Sequence, residues 1–493
     1  MKRLVTLPAW IYLGVVVVIG AILRLWDSTK SSIWHDEGYT MMLAPMNPLE
    51  IITRTARDVH PPLYYLVLHY WMALFGTSEL AARSLSTVFT LVAIPIAYLL
   101  IRKLWTESAA RLAALFVATG PFLIRYSQEA RMYGMLACIV LVATYALVKA
   151  VETNRWVWWA GYALLIAAGL YTHYYTIFVI IAHWIYMLAQ TSRTKHAGLW
   201  NFRWWAANVL ALLLFLPWVP SAVAQFTRVQ ASFWIPRPNA GTLPETLFQF
   251  LTYGSGGNIS VPWRIAAGLV FIGAIVAAWV AVPKRRLALV LLSAFCLTGP
   301  VLVFLLSFQR PIYVDRYFVF AGVAFYCLLA VLVSLLPRKT MVVATLAILA
   351  LFGIGIYNIH KGANHQMAAI GAYVNAHYQP GDEILSGELY TFFDFSYYNH
   401  TGEQTRLWSK NGVNGYGESS LIYDRPNEVI VHNLADLHPE SGRVWVVGKI
   451  GQKDYYTKIP ANWVPIGPKI TAGQSAVQEY QVGPRGSSPV AVQ

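Results

Sequence analysis

The chain has 493 residues, of which 57% are hydrophobic and 12% charged, with a mean hydropathy of +0.48 and a formal net charge of +14. A soluble domain carries about 25% charged residues, so the composition excludes an ordinary soluble globule and describes a chain that enters a membrane repeatedly. The basic residues lie in short loops between apolar runs, which argues against a nucleic-acid partner, and the three cysteines (Cys138, Cys296, Cys327) fall inside those runs, which excludes a disulfide framework or metal knuckle.

Apolar runs predict eleven membrane spans, near residues 8–25, 79–101, 109–124, 132–150, 156–171, 175–191, 205–220, 265–282, 287–306, 317–335 and 340–357. The first follows Lys2 and Arg3 and lacks a small-residue cleavage site, so it reads as a retained anchor. The loop at 26–78 is expected to carry interfacial helices. Within it, Pro62 to Phe75 is apolar over only 14 residues, about 21 Å of helix against a hydrocarbon core of roughly 30 Å. Two prolines open that stretch and His60, Tyr64, Tyr65, His69, Tyr70 and Trp71 decorate it, as expected of a helix lying on the membrane surface. Residues 1–357 thus form a transmembrane domain. From 358 to 493, turn residues and short alternating runs such as Arg443–Val447 and Glu428–Val431 predict a small α/β domain, ending in a loose tail at Gly483–Gln493. Asn399-His400-Thr401 matches a glycosylation sequon.

Orientation follows from the lysines. Before residue 358 they are Lys2, Lys30, Lys103, Lys149, Lys195, Lys284 and Lys339, and all but Lys30 fall on one side if the eleven spans are correct. The positive-inside rule makes that side, with the N-terminus, cytoplasmic. The inner loops also hold Arg3, Arg102, Arg111, Arg155, Arg193, Arg203, Arg285, Arg286 and Arg338. The C-terminal domain is then extracytoplasmic.

Other arginines break this pattern. Arg54, Arg57, Arg125, Arg131, Arg310 and Arg316 fall on the outer side near span ends, where the guanidinium fork suits bidentate binding of phosphate; lipid headgroup contact and local ion pairing are the plainer readings. The same face receives Trp34-His35-Asp36-Glu37-Gly38-Tyr39, whose paired carboxylates suit a general base and its support, or simply a solvated helix start. With it come His60 and Tyr64, then Arg125-Tyr126-Ser127-Gln128-Glu129-Ala130-Arg131-Met132-Tyr133, Tyr171-Thr172-His173-Tyr174-Tyr175 and Arg310-Pro311-Ile312-Tyr313-Val314-Asp315-Arg316-Tyr317. Acids, tyrosines, histidines and arginines on one rim suit a phosphate-bearing, hydroxyl-rich substrate. His60 and His173 would be the candidates for a metal, but no HxxxH or DxD pattern accompanies them, and none is expected.

In their order, WHDEGY, HPPLYY, GTSELAARSLS, RYSQEARMY, YTHYY and RPIYVDRY resemble the bacterial branch of glycosyltransferase family 39, GT-C fold enzymes related to protein O-mannosyltransferases and to the aminoarabinose transferases of lipid A. The resemblance covers about residues 8–357, with a weaker likeness at Tyr373–Tyr398. It implies an inverting, metal-independent enzyme of the plasma membrane with no cofactor, using a polyprenyl-phosphate sugar as donor and a glycan, glycolipid or protein as acceptor. Asp36 would be the catalytic carboxylate with Glu37 beside it. Arg57, His60, Tyr64, Glu129, Arg131, Tyr133, His173, Tyr174, Arg310 and Arg316 would meet the donor and its phosphate. His60 stands where the aminoarabinose transferases carry a lysine. Burial of Asp36 against apolar surface is expected to raise its pKa toward that of a useful base. A lipid-sugar flippase or transporter is the non-enzyme alternative; it would place ionisable groups at mid-membrane, whereas here the span centres are nearly free of charge.

Overall fold

A computed structural model describes residues 7–191, 198–229, 235–254, 256–362, 366–409, 419–422, 429–450 and 459–482. Lys2, Arg3, Arg193, Lys195, Glu428 and the tail at 483–493 lie outside them. Each expected span overlaps an apolar helix. The chain opens with α1 (Ala9–Leu25), followed by three short helices in the first outer loop, α2 (His35–Leu43), α3 (Pro48–Ala56) and α4 (Leu63–Phe75). Next come α5 (Glu79–Leu104), α6 (Glu107–Thr119), α7 (Pro121–Ser127), α8 (Tyr133–Thr153), α9 (Trp156–Thr172), α10 (Thr176–Thr191), α11 (Phe202–Phe215) and α12 (Val219–Val229). A helix that the sequence did not announce, α13 (Thr242–Thr252), precedes α14 (Val261–Ala281), α15 (Arg286–Leu306), α16 (Val319–Ser334) and α17 (Arg338–Lys361).

Seven helical stretches, α11 with α12 counted as one, are long and apolar enough to cross a membrane. The protein is an integral membrane protein. The expected spans at 8–25, 156–171 and 175–191 are helices of 17, 17 and 16 residues, a little short of the full hydrocarbon thickness. α4 has 13 residues, too few to cross the hydrocarbon layer. The span expected at 109–124 is broken: α6 and α7 meet at 48°. Pro121 has no N–H to give, and its ring excludes a regular turn, so the carbonyls of Val117 and Ala118 lose their helical donors. Arg24 of α1, fully buried, supplies replacements, its guanidinium donating to Ala118 O at 2.7 Å and Val117 O at 3.0 Å.

The basic loops assigned to the inner side meet at one end of the molecule. Arg111 donates to Leu7 O, Lys103 pairs with Glu152, Arg203 donates to Asn154 O and Arg285 lies over Trp105. The outer-loop motifs gather at the other end.

After α17 the chain forms a six-stranded sheet of β1 (Glu383–Ser386), β2 (Arg406–Trp408), β3 (Ile430–Val431), β4 (Arg443–Lys449), β5 (Trp463–Ala472) and β6 (Ser475–Val482), in the order β3-β2-β1-β4-β6-β5. The first four in that order run parallel and the last pairs antiparallel. Helices α18 (Met367–His377) and α19 (Leu389–Tyr398) accompany it. The Asn399 side chain is consumed locally, donating to Glu403 O and Thr405 Oγ1 and accepting from Thr401, so the sequon residues build a turn.

α19 packs on α2. His35, Gly38 and Tyr39, three and four positions apart, share one face of α2 and meet α19 there: the His35 ring lies 4.4 Å from Tyr390 and 5.3 Å from Phe393, and Tyr39 lies 5.8 Å from Phe393. A Cβ at Gly38 would sit 2.5 Å from the Phe393 carbonyl oxygen, so the two helices touch backbone to backbone. Behind this contact Asp394 is buried, with neither carboxylate oxygen hydrogen-bonded among the described residues and Lys449 Nζ at 4.0 Å. Burial pushes its carboxyl up to about 7, against the pull of Lys449 and His35. The folded protein holds this proton to about pH 7, whereas an unfolded aspartate releases it near 3.8. Its contribution to stability is therefore complete below pH 3.8 and lost as pH rises through 7. Asp394→Asn, neutral throughout, should remove this dependence. In thermal unfolding from pH 4 to 8, wild type is expected to lose on the order of a few kcal/mol relative to the variant; parallel curves would show an ordinary carboxyl.

Candidate active site

Glu37 and Arg83 form the frame of the site. Both are buried, and the Arg83 guanidinium donates to Glu37 Oε1 at 2.8 Å and Oε2 at 2.6 Å. Oε1 also accepts from Ala130 N at 2.7 Å, while Arg83 Nη1 donates to Ser28 O and Ser31 O. One ion pair thus ties α2, α5, the loop at 128–132 and the loop at 28–32. Glu37 was expected as the support of a catalytic base; its oxygens are instead taken up by Arg83 and Ala130, and it acts through position. Arg83 was not singled out, since one arginine in the first turns of an apolar helix looks like a span-end charge.

Asp36 points the other way. Its Oδ2 lies 3.7 Å from Arg131 Nη2 and 3.5 Å from Arg316 Nη2. Arg131 is fully buried and donates to Asp36 O at 3.0 Å, Thr40 Oγ1 at 3.1 Å and Tyr65 OH at 3.2 Å, fixing the first turn of α2. Arg316 is partly exposed and sits over the rings of Trp34 (5.3 Å) and Tyr317 (5.6 Å). Burial drives the Asp36 carboxyl upward, but Arg131 and Arg316, helped by His35 and His60, prevail and hold it below the ordinary aspartate range. The expected upward shift is therefore overturned: the sequence showed apolar surroundings and not that two guanidiniums converge on one oxygen.

His60, Tyr133 and His173 border the same space. The His60 and His173 rings are 6.1 Å apart, those of Tyr133 and His173 6.3 Å, and His60 Nδ1 is 3.8 Å from Asp58. Burial first, then His60, Arg131 and Arg316, hold His173 well below the usual imidazole range, so it is neutral. Among the described residues no three His, Cys, Asp or Glu side chains are grouped to hold a metal ion. Tyr64 is buried beside Tyr65, its hydroxyl 3.5 Å from Ser86 Oγ.

Glu129 owes its place to the α6–α7 break, which turns α7 and the loop after it toward α2. Gln128 secures that loop by donating to Arg24 O and Trp26 O. Glu129 pairs with Arg125 at 2.6 Å, and burial raises its carboxyl despite that partner. Trp34, Glu37, Arg125, Glu129 and Arg316 contribute to the wall of a cavity of about 330 Å³, with Lys30 and His360 also lining it.

Arg57, Tyr174 and Arg310 do not join this cluster. They gather around α12: Arg310 lies 5.2 Å over Phe226, Tyr174 bonds with Gln225 and Trp218, and Arg228 donates to the carbonyls of Ala56 and Arg57. Gln225, bonded to Thr55 O, joins α12 to α3. These three close the outer loops against one another, a role that spacing alone does not separate from substrate contact.

Residues 59–220 match the family described as dolichyl-phosphate-mannose-protein mannosyltransferase. The fold superposes on ArnT from Cupriavidus metallidurans, with a TM-score of 0.65 in the apo state and 0.66 bound to undecaprenyl phosphate; each pair is 14% identical over 97% of this chain and 99% or 100% of the other. It is a GT-C-fold protein like those of family 39. The oligosaccharyltransferase of Archaeoglobus fulgidus, in a complex with Zn and sulfate, matches with a TM-score of 0.53 and 15% identity over 89% of this chain and 68% of the other. No curated protein matches by sequence.

If the Glu37–Arg83 pair frames the site, breaking it is costlier than removing it. Arg83→Met is expected to destabilise by about 3–5 kcal/mol by leaving a buried carboxylate alone. Adding Glu37→Gln should recover part of that loss, which a double-mutant cycle of thermal unfolding in detergent would measure. Additive losses would mean the two charges are not coupled.

Proposed function

We propose that the protein is an inverting, metal-independent glycosyltransferase that moves a sugar from a polyprenyl-phosphate donor to a hydroxyl acceptor, a glycolipid or a glycan. Its site would open on the outer face of the plasma membrane, with the N-terminus cytoplasmic. The observation that carries this is Asp36, a buried carboxylate 3.7 Å from Arg131 and 3.5 Å from Arg316 at the outer-loop end of a membrane protein. The family match over residues 59–220 and the likeness to a transferase-fold structure bound to undecaprenyl phosphate support it.

In this reading the acceptor hydroxyl attacks C1 of the sugar, the bond from C1 to the phosphate oxygen breaks, and the polyprenyl phosphate leaves with the bonding electrons. Phosphate is already a stable anion, so the protein needs positive charge beside it more than it needs an acid. Arg316, partly exposed, is the guanidinium a substrate can reach; Arg131 is committed to α2. The lipid phosphate would draw Arg316 toward itself and loosen its hold on Asp36. A carboxylate held below the usual range by its two arginines thereby becomes more basic when donor is present. It takes the hydroxyl proton as the new bond forms. His60 and neutral His173 line the approach and are suited to hydrogen-bond the departing phosphate or the acceptor.

The test is transfer of radiolabelled sugar from a panel of polyprenyl-phosphate sugars to membrane glycolipids and glycans, by purified protein with EDTA present. Asp36→Asn should abolish transfer, a loss of at least about a hundredfold, while retaining expression and donor binding. Product from the variant at the wild-type rate would remove Asp36 from the chemistry. Donor lipid crossing liposome bilayers, with no transfer, would favour a flippase.

A further inference from the structure

The cavity beside Arg316 has features that a lipid phosphate alone would leave unused. At about 330 Å³ it stands at the small end of ligand pockets, suited to one sugar ring and too small to house a polyprenyl chain as well. Among the residues of its wall, Glu129 Oε2, an acceptor, Trp34 Nε1, a donor, and His360 Nε2, either according to its tautomer, are buried polar atoms with no hydrogen-bond partner among the described residues. Buried polar atoms are nearly always paired in a folded protein, so an unmet acceptor and an unmet donor in one wall call for a ligand that supplies both halves. The charges nearby are already balanced. Glu129 is paired with Arg125, Glu37 with Arg83 and Arg316 with Asp36.

A hydroxyl group answers this requirement, because it donates and accepts. Ionised phosphate has no proton for Glu129. An ammonium donates to Glu129 but accepts nothing from Trp34. A sugar carboxylate would put a second anion against Glu129 Oε2. We infer that this cavity receives the sugar of the donor and that Glu129 and Trp34 read its hydroxyls. The inference rests on the polyprenyl-phosphate reading above and deepens it. Glu129 moves from the phosphate, where its charge would repel, to the sugar. Arg316 lines this cavity and also pairs with Asp36, so it stands between the sugar and the base.

The experiment measures binding by the purified full chain in detergent, with bare undecaprenyl phosphate and its mannosyl, glucosyl, glucuronosyl and amino-sugar phosphodiesters as probes. Trp34→Phe keeps a ring over Arg316 and removes the N–H, along with the smaller ring of the indole. It should weaken the mannosyl or glucosyl lipid, whichever binds wild type better, by about tenfold, and leave bare undecaprenyl phosphate within about twofold. Glu129→Gln should show the same selectivity; if it does not fold, Trp34→Phe alone decides. Equal loss for sugar-bearing and bare lipids would put the phosphate in the cavity and overturn the inference. So would no loss for the mannosyl and glucosyl lipids. If wild type binds neither bare nor glycosylated lipid phosphate, the donor reading itself fails, an outcome distinct from selective binding that ignores Trp34.

Discussion

Four separate segments converge on Glu37, and their arrangement depends on its being charged. A carboxylate with no exposed surface is tolerated only when its charge and lone pairs are answered. Arg83 answers with two short bonds and Ala130 N with a third, while the remaining Arg83 donors reach back to the carbonyls of the loop at 28–32. Shifting α2 against α5, or the 128–132 loop against either, would strand a charge in a dry environment. The pair adds little net stability compared with an apolar replacement. It fixes register, because one relative placement of the four segments satisfies all the bonds together. Asp36, Glu129 and Arg131 are carried on the segments so fixed.

Arg24, in the last turn of α1, gives the same kind of control. A proline at the start of α7 frees two carbonyls of α6, and in hydrocarbon an unpaired carbonyl costs several kcal/mol. A buried guanidinium from α1 pays that debt at 2.7 and 3.0 Å. The break is then stable, α7 leaves at its angle, and Arg125 and Glu129 reach the cavity instead of continuing along the axis of α6. Two arginines to which no step of the chemistry is assigned, Arg24 and Arg83, thus determine where its acids stand.

Much of this was legible in the chain because the signals were periodic or compositional. Apolar length marked the helices, lysine placement marked one end of the molecule, and the shortness of Pro62–Phe75 kept the count consistent with a 13-residue α4. The alternating runs at Arg443–Val447 and before Val431 became β4 and β3. What the sequence hid were interactions between residues far apart in the chain. Glu37 meets Arg83 at a separation of 46 residues, and Arg24 meets Ala118 at 94. In the sequence Asp36 and Glu37 look equivalent. On a helix adjacent side chains diverge by about 100°, so one faces Arg131 and Arg316 while the other is sealed against Arg83. Arg57, Tyr174 and Arg310 share the outer-rim composition of the others, and only the position of α12 separates them from the site.

The position of α2 gives the C-terminal sheet a hold on the chemistry. One face of this nine-residue helix bears His35, Gly38 and Tyr39 against α19; the other bears Asp36 and Thr40 against Arg131. At Gly38 no side chain intervenes, so the contact has no compliant layer, and a displacement of α19 passes to the backbone of α2. Asp36 and Arg131 are held through that backbone, by the bond from Arg131 to Asp36 O. A carboxylate whose basicity depends on guanidiniums 3.5 and 3.7 Å away is sensitive to such displacements, since at these separations the attraction changes with each fraction of an ångström and with the exclusion of water. The sheet therefore bears on the site through the placement of one helix, and it does so even if no residue of the sheet touches a substrate.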